Sequence, residues 1–264
     1  MPLAGPANRQ GRIAASNALG GAMTYQGALG TSVVKVFEAT AAMTGLTERA
    51  ARDAGFDIGV AIVHAGNHAR YYPGARPLSL KLVYDRADAR LLGAQAFGHE
   101  GVDKRIDALA MAIRGALTLH DLAEIDLAYA PPYSSANDPI NMAAFVGQND
   151  LSGYGPLVTA GQLREELASD APPVVLDVRS HEEFEEGHLR EALHVPLDEL
   201  RHSLHLVPRD RPLVVHCHAG MRAHVAARIL RGEGYSQVRN LTGGWVSLRL
   251  ENGLCYASPL PCTR

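Results

Sequence analysis

Cysteine is scarce in this chain of 264 residues, and so is an excess of charge of either sign. The three cysteines, Cys217, Cys255 and Cys262, are too few and too unevenly spaced for a disulfide framework. The formal net charge of -3 gives no electrostatic reason to expect nucleic acid as a partner. These two deficits favour a reducing compartment and argue against a nucleic-acid-binding protein.

Long apolar runs are absent as well, and the N-terminus lacks the pattern of a signal peptide. We therefore expect a cytoplasmic protein without a membrane partner. The hydrophobic fraction of 47% and the charged fraction of 20% are typical of a globular protein with an ample core. The length of the chain favours two domains.

One cysteine lies where chemistry is expected. The apolar run that ends at His216 has the pattern of a buried strand, and apolar residues recur at helical spacing over 223–231. Cys217 would then lie between a strand end and a helix start, where backbone N–H groups and the helix dipole stabilise an anion. With Arg222 as a fixed cation at the end of this loop, we predict that Cys217 is a largely ionised nucleophile at neutral pH.

A purely structural role for Cys217 is the weaker interpretation. Free cysteines are often small buried hydrophobes, but Gly220 and Arg222 at these offsets are typical of a tight anion-binding loop. We expect Asp177 and Arg179 to orient the loop or one another.

The other two cysteines lie in a proline-rich tail. We expect Cys255 and Cys262 to be incidental surface cysteines, although one of them could reach Cys217 as a resolving thiol.

Twelve histidines raise the question of a metal site. His216, Cys217 and His218 are consecutive, and consecutive residues cannot all bind one ion from a strand. No second Cys/His pair has metal-ligand spacing, so we predict no metal. We expect His188 and His194 to stabilise the fold.

The last part of the chain resembles the rhodanese superfamily. The family's Cys-x-x-Gly-x-Arg loop is matched by Cys217, Gly220 and Arg222, and further landmarks follow in family order from Leu176 to Trp245. The resemblance implies an α/β domain with a mainly parallel sheet over 151–264. It also implies that Cys217 and Arg222 are catalytic, with substrate bound by the rest of the loop, His218, Ala219, Gly220 and Met221.

By this resemblance the chain is a sulfurtransferase. It would move sulfane sulfur from a persulfide or thiosulfate donor to a thiol acceptor through a Cys217 persulfide. Ala219 and Met221 add no charge for a doubly anionic donor, which favours persulfides such as those of coenzyme A or glutathione over thiosulfate.

Cysteine phosphatases use a similar loop at a helix N-terminus, with one more residue between cysteine and arginine. Four residues separate Cys217 from Arg222, which leaves less room for phosphate. Phosphatase activity is therefore not expected.

The middle of the chain, 23–150, alternates strand-like and helical segments and predicts an α+β unit of antiparallel strands with helices on one side. It resembles the C-terminal dimerisation domain of the FAD-dependent pyridine nucleotide-disulfide oxidoreductases, and within them the coenzyme A-disulfide reductase branch. The likeness is carried by Lys35-Val36-Phe37, the run His68 to Gly74, Leu92 to Gln95 with Gly98, and Asp126 to Tyr133. It implies a twofold-symmetric homodimer in which Tyr71 and Tyr129 reach the partner's thiol site and bind substrate there. The alternative for a chain without the FAD domain is that the two tyrosines only pack, with their hydroxyls at the surface.

The chain departs from that branch in one respect. It contains no Gly-x-Gly-x-x-Gly unit to hold the pyrophosphate of FAD or NAD, so we expect no cofactor in this chain, and FAD and coenzyme A are implied only for the full-length family enzyme. Residues 1–22 are interpreted as a remnant of the FAD-binding region, and a polar, glycine-rich linker is predicted between Val146 and Pro156.

The combination resembles the back half of a coenzyme A-disulfide reductase fused to a rhodanese domain, as in NADH-dependent persulfide reductases. We expect no disulfide reduction with NADH alone. The alternative function is a non-catalytic or incomplete part of such a reductase that acts by dimerisation.

Overall fold

The computed structural model describes residues 3–251 and 253–257. Its first unit is built around a five-stranded antiparallel sheet with the order β1-β2-β5-β4-β3. The elements of this unit are α1 (Ala4–Ala18), β1 (Ser32–Val36), β2 (Ala39–Gly45), α2 (Glu48–Asp53), β3 (Ile58–Gly66), β4 (Pro77–Asp85), β5 (Leu91–Gly98), α3 (Val102–Arg114), α4 (Leu119–Glu124) and α5 (Pro139–Leu151).

Helices α3, α4 and α5 share one core with this sheet. Leu80 and Leu82 of β4 and Leu109 of α3 are completely buried in it. The predicted α+β arrangement is confirmed. A turn that begins at Asp85 joins β4 to β5 as an antiparallel pair. None of the helices in the described ranges has the length and apolarity that a membrane span requires.

The linker predicted between Val146 and Pro156 is wrong at its start, because Val146 to Leu151 form the last turns of α5. The glycine at 147 lies where α5 packs closely on α4 and β4, because a Cβ there would be 2.6 Å from Leu119 and 3.1 Å from Tyr84. Asp150 accepts hydrogen bonds from the Tyr84 hydroxyl at 2.7 Å and from the Leu157 N–H at 2.9 Å. The segment that leaves α5 is therefore anchored.

The start of α5 is held by a buried ion pair. Asp138 caps the helix through the Ile140 N–H and accepts from Arg105 Nη2 at 2.8 Å, with both side chains at most 2% exposed. Burial raises the pKa of Asp138, but hydrogen bonds from Arg105 and Ser134 outweigh it and leave that pKa below its ordinary value. This pairing fixes the position of α5, which forms one wall of the cavity described below.

The second unit contains a five-stranded sheet with the order β6-β11-β10-β7-β9, in which every pairing is parallel. Its elements are β6 (Leu157–Val158), α6 (Ala160–Leu167), β7 (Val174–Asp177), α7 (His181–Glu185), β8 (His188–Leu189), β9 (Leu193–His194), a 3-10 turn (Leu204–Leu206), β10 (Leu213–His216), α8 (Met221–Gly232), β11 (Val238–Leu241), α9 (Gly244–Leu248) and β12 (Tyr256–Ala257).

The predicted α/β unit with a mainly parallel sheet is confirmed. Two helices begin with a capping box, a pattern already visible in the sequence: Thr159 with Gln162 at the start of α6 and Ser180 with Glu183 at the start of α7. Cys217 follows the carboxyl end of β10, the edge at which parallel sheets place their ligands.

A short segment after β11 joins the two units. The Thr242 hydroxyl accepts a hydrogen bond from the Ile62 N–H at 2.7 Å and donates one to the Ile62 carbonyl at 3.2 Å. His64, two residues along β3, hydrogen-bonds Ser247 through Nε2 at 2.9 Å and Ser79 through Nδ1 at 2.7 Å. Burial, with smaller contributions from nearby His218 and Arg249, lowers the pKa of His64 to about 4, so the ring is neutral at physiological pH.

Replacing Thr242 by valine should destabilise the protein by about 1–3 kcal/mol, because the substitution keeps the shape but leaves the Ile62 N–H and carbonyl without partners. Thr242→Ser keeps the hydroxyl and should lose clearly less stability than the valine variant. Chemical denaturation of both variants measures the difference. Equal stability of the valine variant and the parent would show that this joint contributes nothing.

Candidate active site

The Cys217 loop places a buried sulfur under a helix start. Cys217 is 2% exposed, and its Sγ accepts a hydrogen bond from the Gly220 N–H at 3.1 Å. Gly220, the N-cap of α8, has φ 117°, a conformation that favours glycine. The N–H of the N-cap residue therefore donates to the sulfur, and the positive end of the α8 dipole lies beside it.

Helix α9 supports this loop from behind. The Trp245 N–H donates to the Cys217 carbonyl at 2.7 Å, and the Val246 N–H donates to the His218 carbonyl at 3.1 Å. Gly244, with φ +53°, makes the approach possible, because a Cβ there would lie 2.5 Å from the Cys217 carbonyl oxygen and 2.9 Å from the Ala219 nitrogen. A trans peptide has its C=O and N–H on opposite sides, so the N–H groups of His218 and Ala219 point away from α9.

A buried ion pair next to β10 holds the neighbouring helix. Arg179 is 2% exposed and donates to Asp177 Oδ2 at 2.6 Å, while its remaining N–H groups donate to the carbonyls of Glu183 and Gly187 at 2.9 and 2.8 Å. The predicted mutual orientation of Asp177 and Arg179 is confirmed. Through these bonds the pair also fixes α7, and with it the Glu183 side chain.

Arg222 is paired with Glu183, the residue that also completes the capping box of α7. The two arginine nitrogens donate to the two carboxylate oxygens at 2.6 and 2.7 Å. The Arg222 hydrogen bond is the largest influence on the carboxyl and lowers the pKa of Glu183 to about 2, and the same bond raises the pKa of Arg222. The cation at the end of the loop is therefore neutralised by an adjacent carboxylate.

His216 lies on the opposite face of β10 and is fully buried. Neither ring nitrogen has a hydrogen-bond partner among the described residues, and the nearest acid, Asp177, is 3.5 Å away. Burial lowers the pKa of His216, so the ring is neutral and adds no charge beneath the loop.

A cavity of about 810 Å³ opens in front of the Cys217 loop and is shared by the two units. Every residue from Cys217 to Arg222 lines it, so the structure brings together all the loop residues predicted for the site. The first unit contributes residues of β3 and α5 together with Arg70, among them Ile62, His64, Met142, Phe145 and Asn149.

Tyr71 and Tyr129 form a separate pair on the surface. Their hydroxyls lie 3.0 Å apart, and the side chains are 76% and 47% exposed. Their mutual hydrogen bond raises the pKa of Tyr71. Neither tyrosine lines the Cys217 cavity, so the predicted site residues divide into two groups on this chain.

Two family models match different parts of the chain. Residues 31–139 match the pyridine nucleotide-disulphide oxidoreductase dimerisation domain, and residues 159–251 match the rhodanese-like domain. The chain joins these two domain types. The antiparallel unit is the dimerisation domain, and the parallel unit with the Cys217 loop is the rhodanese-like domain.

The chain is similar to several named proteins. The coenzyme A disulfide reductase of Staphylococcus aureus strain Newman is 42% identical over 146 residues, which cover 55% of this chain and 33% of the relative. The crystal structure of reduced Bacillus anthracis CoADR-RHD has a TM-score of 0.86 at 42% identity and matches 93% of this chain. A NAD-dependent persulfide reductase from A. fulgidus has a TM-score of 0.80 at 40% identity and matches 91%.

The chain spans about a third of the curated relatives it matches, and 44% and 43% of those two solved chains. The match corresponds to the C-terminal region of these proteins. The resemblance inferred from the sequence, a dimerisation domain followed by a rhodanese domain, is thereby confirmed.

The rhodanese-like domain contains an aromatic stack that accounts for two predicted structural histidines. Phe184 lies between His188 and His194. The centroid of its ring is 3.7 Å from that of His188 and 4.0 Å from that of His194, and the ring planes are nearly parallel. His188 also contacts the Phe184 carbonyl, and His194 the Arg179 carbonyl. These contacts support α7 and agree with the predicted role in stabilising the fold.

Two site residues were not predicted from the sequence. Glu183 carries a local capping signal, which conceals its second role, and His64 comes from a strand of the other domain. Of the remaining cysteines, Cys255 is exposed, and Cys262 lies outside the described residues.

Gly244→Ala should slow the alkylation of Cys217 by iodoacetamide at least about tenfold, because the new methyl group collides with the loop backbone at a positive φ. Peptide-resolved mass spectrometry separates Cys217 from the other cysteines. Gly161→Ala in α6 is the control: a Cβ there meets nothing within 4 Å, and Cys217 should react as in the parent. Unchanged reactivity of the Gly244 variant would show that the α9 contact does not shape the loop.

Proposed function

We propose that this chain is a rhodanese-type sulfurtransferase that moves sulfane sulfur from a persulfide or thiosulfate donor to a thiol acceptor through a persulfide on Cys217. The observation that carries the proposal is the position of Cys217 Sγ under the N-terminus of α8, facing a cavity large enough for a donor. The match to the rhodanese-like domain supports the same chemistry.

In the first half of the reaction the Cys217 thiolate attacks the outer sulfur of the donor. The new S–S bond forms on Cys217, the donor's own bond to that sulfur breaks, and the electron pair leaves with sulfite or with the donor thiolate. In the second half an acceptor thiolate attacks the outer sulfur of the Cys217 persulfide. The Cys217 thiolate is then restored, and the acceptor carries the persulfide.

The loop stabilises the anionic intermediate. In the proposed intermediate, backbone N–H groups of 218–222 donate to the outer sulfur, and charge-assisted hydrogen bonds of this kind are stronger than neutral ones. Ala219 and Met221 contribute no charge, which favours persulfide donors over thiosulfate.

Purified protein exposed to glutathione persulfide or thiosulfate should gain one sulfur, about 32 Da, on Cys217. A thiol acceptor should remove that mass again. Intact-protein and peptide mass spectrometry follow both steps.

Cys217→Ser is the matched control and should gain nothing at this position, whereas labelling of exposed Cys255 serves as an internal reference for nonspecific persulfidation. A parent protein that gains no sulfur from either donor would refute sulfurtransferase activity. It would then leave the alternative of a component of a larger flavin-dependent reductase that acts by dimerisation.

A homodimer through the dimerisation domain is part of this proposal. Three residues form a row across neighbouring strands, with Val34 opposite Ala41 and Ala41 opposite Phe97. Val34 and Phe97 are 54% and 56% exposed, and exposed apolar rows of this kind favour association. In such a dimer, the exposed Tyr71–Tyr129 pair would be available to a partner subunit, as the family resemblance implies.

Light scattering should give twice the chain mass of 28.2 kDa. The double variant Val34→Glu, Phe97→Glu should shift the protein towards monomer, since it places charges on the apolar row. Leu206→Glu, at a residue of the rhodanese-like domain that is 53% exposed, should remain dimeric. A monomeric parent would contradict this part of the proposal.

We also propose a cytoplasmic location. It is supported by the scarcity of cysteine and by a reaction that needs a reduced Cys217.

A further inference from the structure

The Glu183 carboxylate faces the same cavity as the Cys217 sulfur. Both residues line it, and Glu183 contacts Arg222 through both oxygens. One of these oxygens also accepts the Ser180 N–H at 3.1 Å, which completes the capping box of α7. The side chain therefore serves two purposes, one for the helix and one for the loop.

Only the second purpose requires a negative charge. A capping box accepts Gln as readily as Glu, and this chain uses Gln162 in the equivalent box of α6. A glutamine at position 183 could also accept a hydrogen bond from Arg222, but it would not cancel the positive charge of Arg222. Glu183 therefore adds a negative charge next to Cys217, and the capping of α7 does not require that charge.

Two histidines that line the cavity add no positive charge at neutral pH. His64 is neutral because burial lowers its pKa to about 4, and burial also lowers the pKa of His224. His218 is 56% exposed with Nδ1 at 3.9 Å from Glu183. Arg70 also lines the cavity, and its positive charge is the same in the parent and in every variant compared below.

We propose that Glu183 sets the charge selectivity of the Cys217 site. The site admits donors whose sulfur-bearing group carries one negative charge, as in a persulfide, and disfavours donors in which that group carries two, as in thiosulfate. The inference rests on the proposed function for its biological meaning, since it names the class of donor that the sulfurtransferase accepts. The physical basis is the Glu183–Arg222 pair. The negative charge of Glu183 cancels the positive charge of Arg222, the cation nearest in sequence to the Cys217 thiolate.

The first test measures the charge preference of the site without any sulfur transfer. Cys217 is alkylated with iodoacetate, an anion, and with iodoacetamide, its neutral analogue, and the ratio of the two rates is compared between variants. Glu183→Gln should raise the iodoacetate to iodoacetamide ratio about five- to tenfold, because one negative charge near the approaching anion is removed.

The matched control is Glu185→Gln, an exposed position on the same short helix with the same change in net charge. Its rate ratio should stay at the parental value. Circular dichroism of both variants checks that α7 and the rest of the fold are retained. The effect of Glu183→Gln should weaken at high salt, as a charge effect in an open cavity must.

The second test uses two sulfur donors that differ mainly in charge. Thiosulfate is a dianion and releases sulfite, while methanethiosulfonate is a monoanion and releases methanesulfinate, and both leave the same persulfide on Cys217. Glu183→Gln should raise kcat/KM for thiosulfate about fivefold more than for methanethiosulfonate.

The two tests separate the two claims. An unchanged alkylation ratio in Glu183→Gln overturns the charge-selectivity proposal whatever the donors do, as does an equal change for both donors. A raised alkylation ratio without sulfur transfer from either donor in any variant would support the charge effect and refute the proposed sulfurtransferase activity instead.

Discussion

The contact between the segment 242–247 and its two neighbours is the constraint on which the site depends. On one side, the N–H groups of Trp245 and Val246 bind the carbonyls of the Cys217 loop. On the other side, Thr242 and Ser247 bind Ile62 and His64 of the dimerisation domain. One short stretch of chain therefore shapes the Cys217 loop and joins the rhodanese-like domain to the dimerisation domain. The same set of hydrogen bonds positions both the cavity walls and the Cys217 sulfur.

Charge in this site is arranged by compensation. The buried Asp177–Arg179 pair fixes α7, α7 presents Glu183, and Glu183 neutralises Arg222. What remains to stabilise an anionic sulfur is mainly the backbone, through the N–H groups at the start of α8. Such dipoles suit a persulfide that carries a single charge, and they need no reorganisation when it forms.

The sequence predicted the features that depend on local signals. The spacing of Cys217, Gly220 and Arg222 predicted the loop between β10 and α8, and both capping boxes lie where their residues indicated. Strand β2 (Ala39–Gly45) was not predicted, because small residues have weak strand propensity and its neighbours in the sheet define it. The Glu183–Arg222 pair was beyond prediction because its members lie 39 positions apart in the sequence.

The central claim is that the loop backbone holds an anionic persulfide on Cys217. The most direct measurement is a crystal structure of the protein after treatment with a persulfide donor. The account predicts a second sulfur bonded to Cys217 Sγ and within hydrogen-bond distance of N–H groups in 218–222. Unmodified Cys217, or an outer sulfur directed away from these N–H groups, would contradict it.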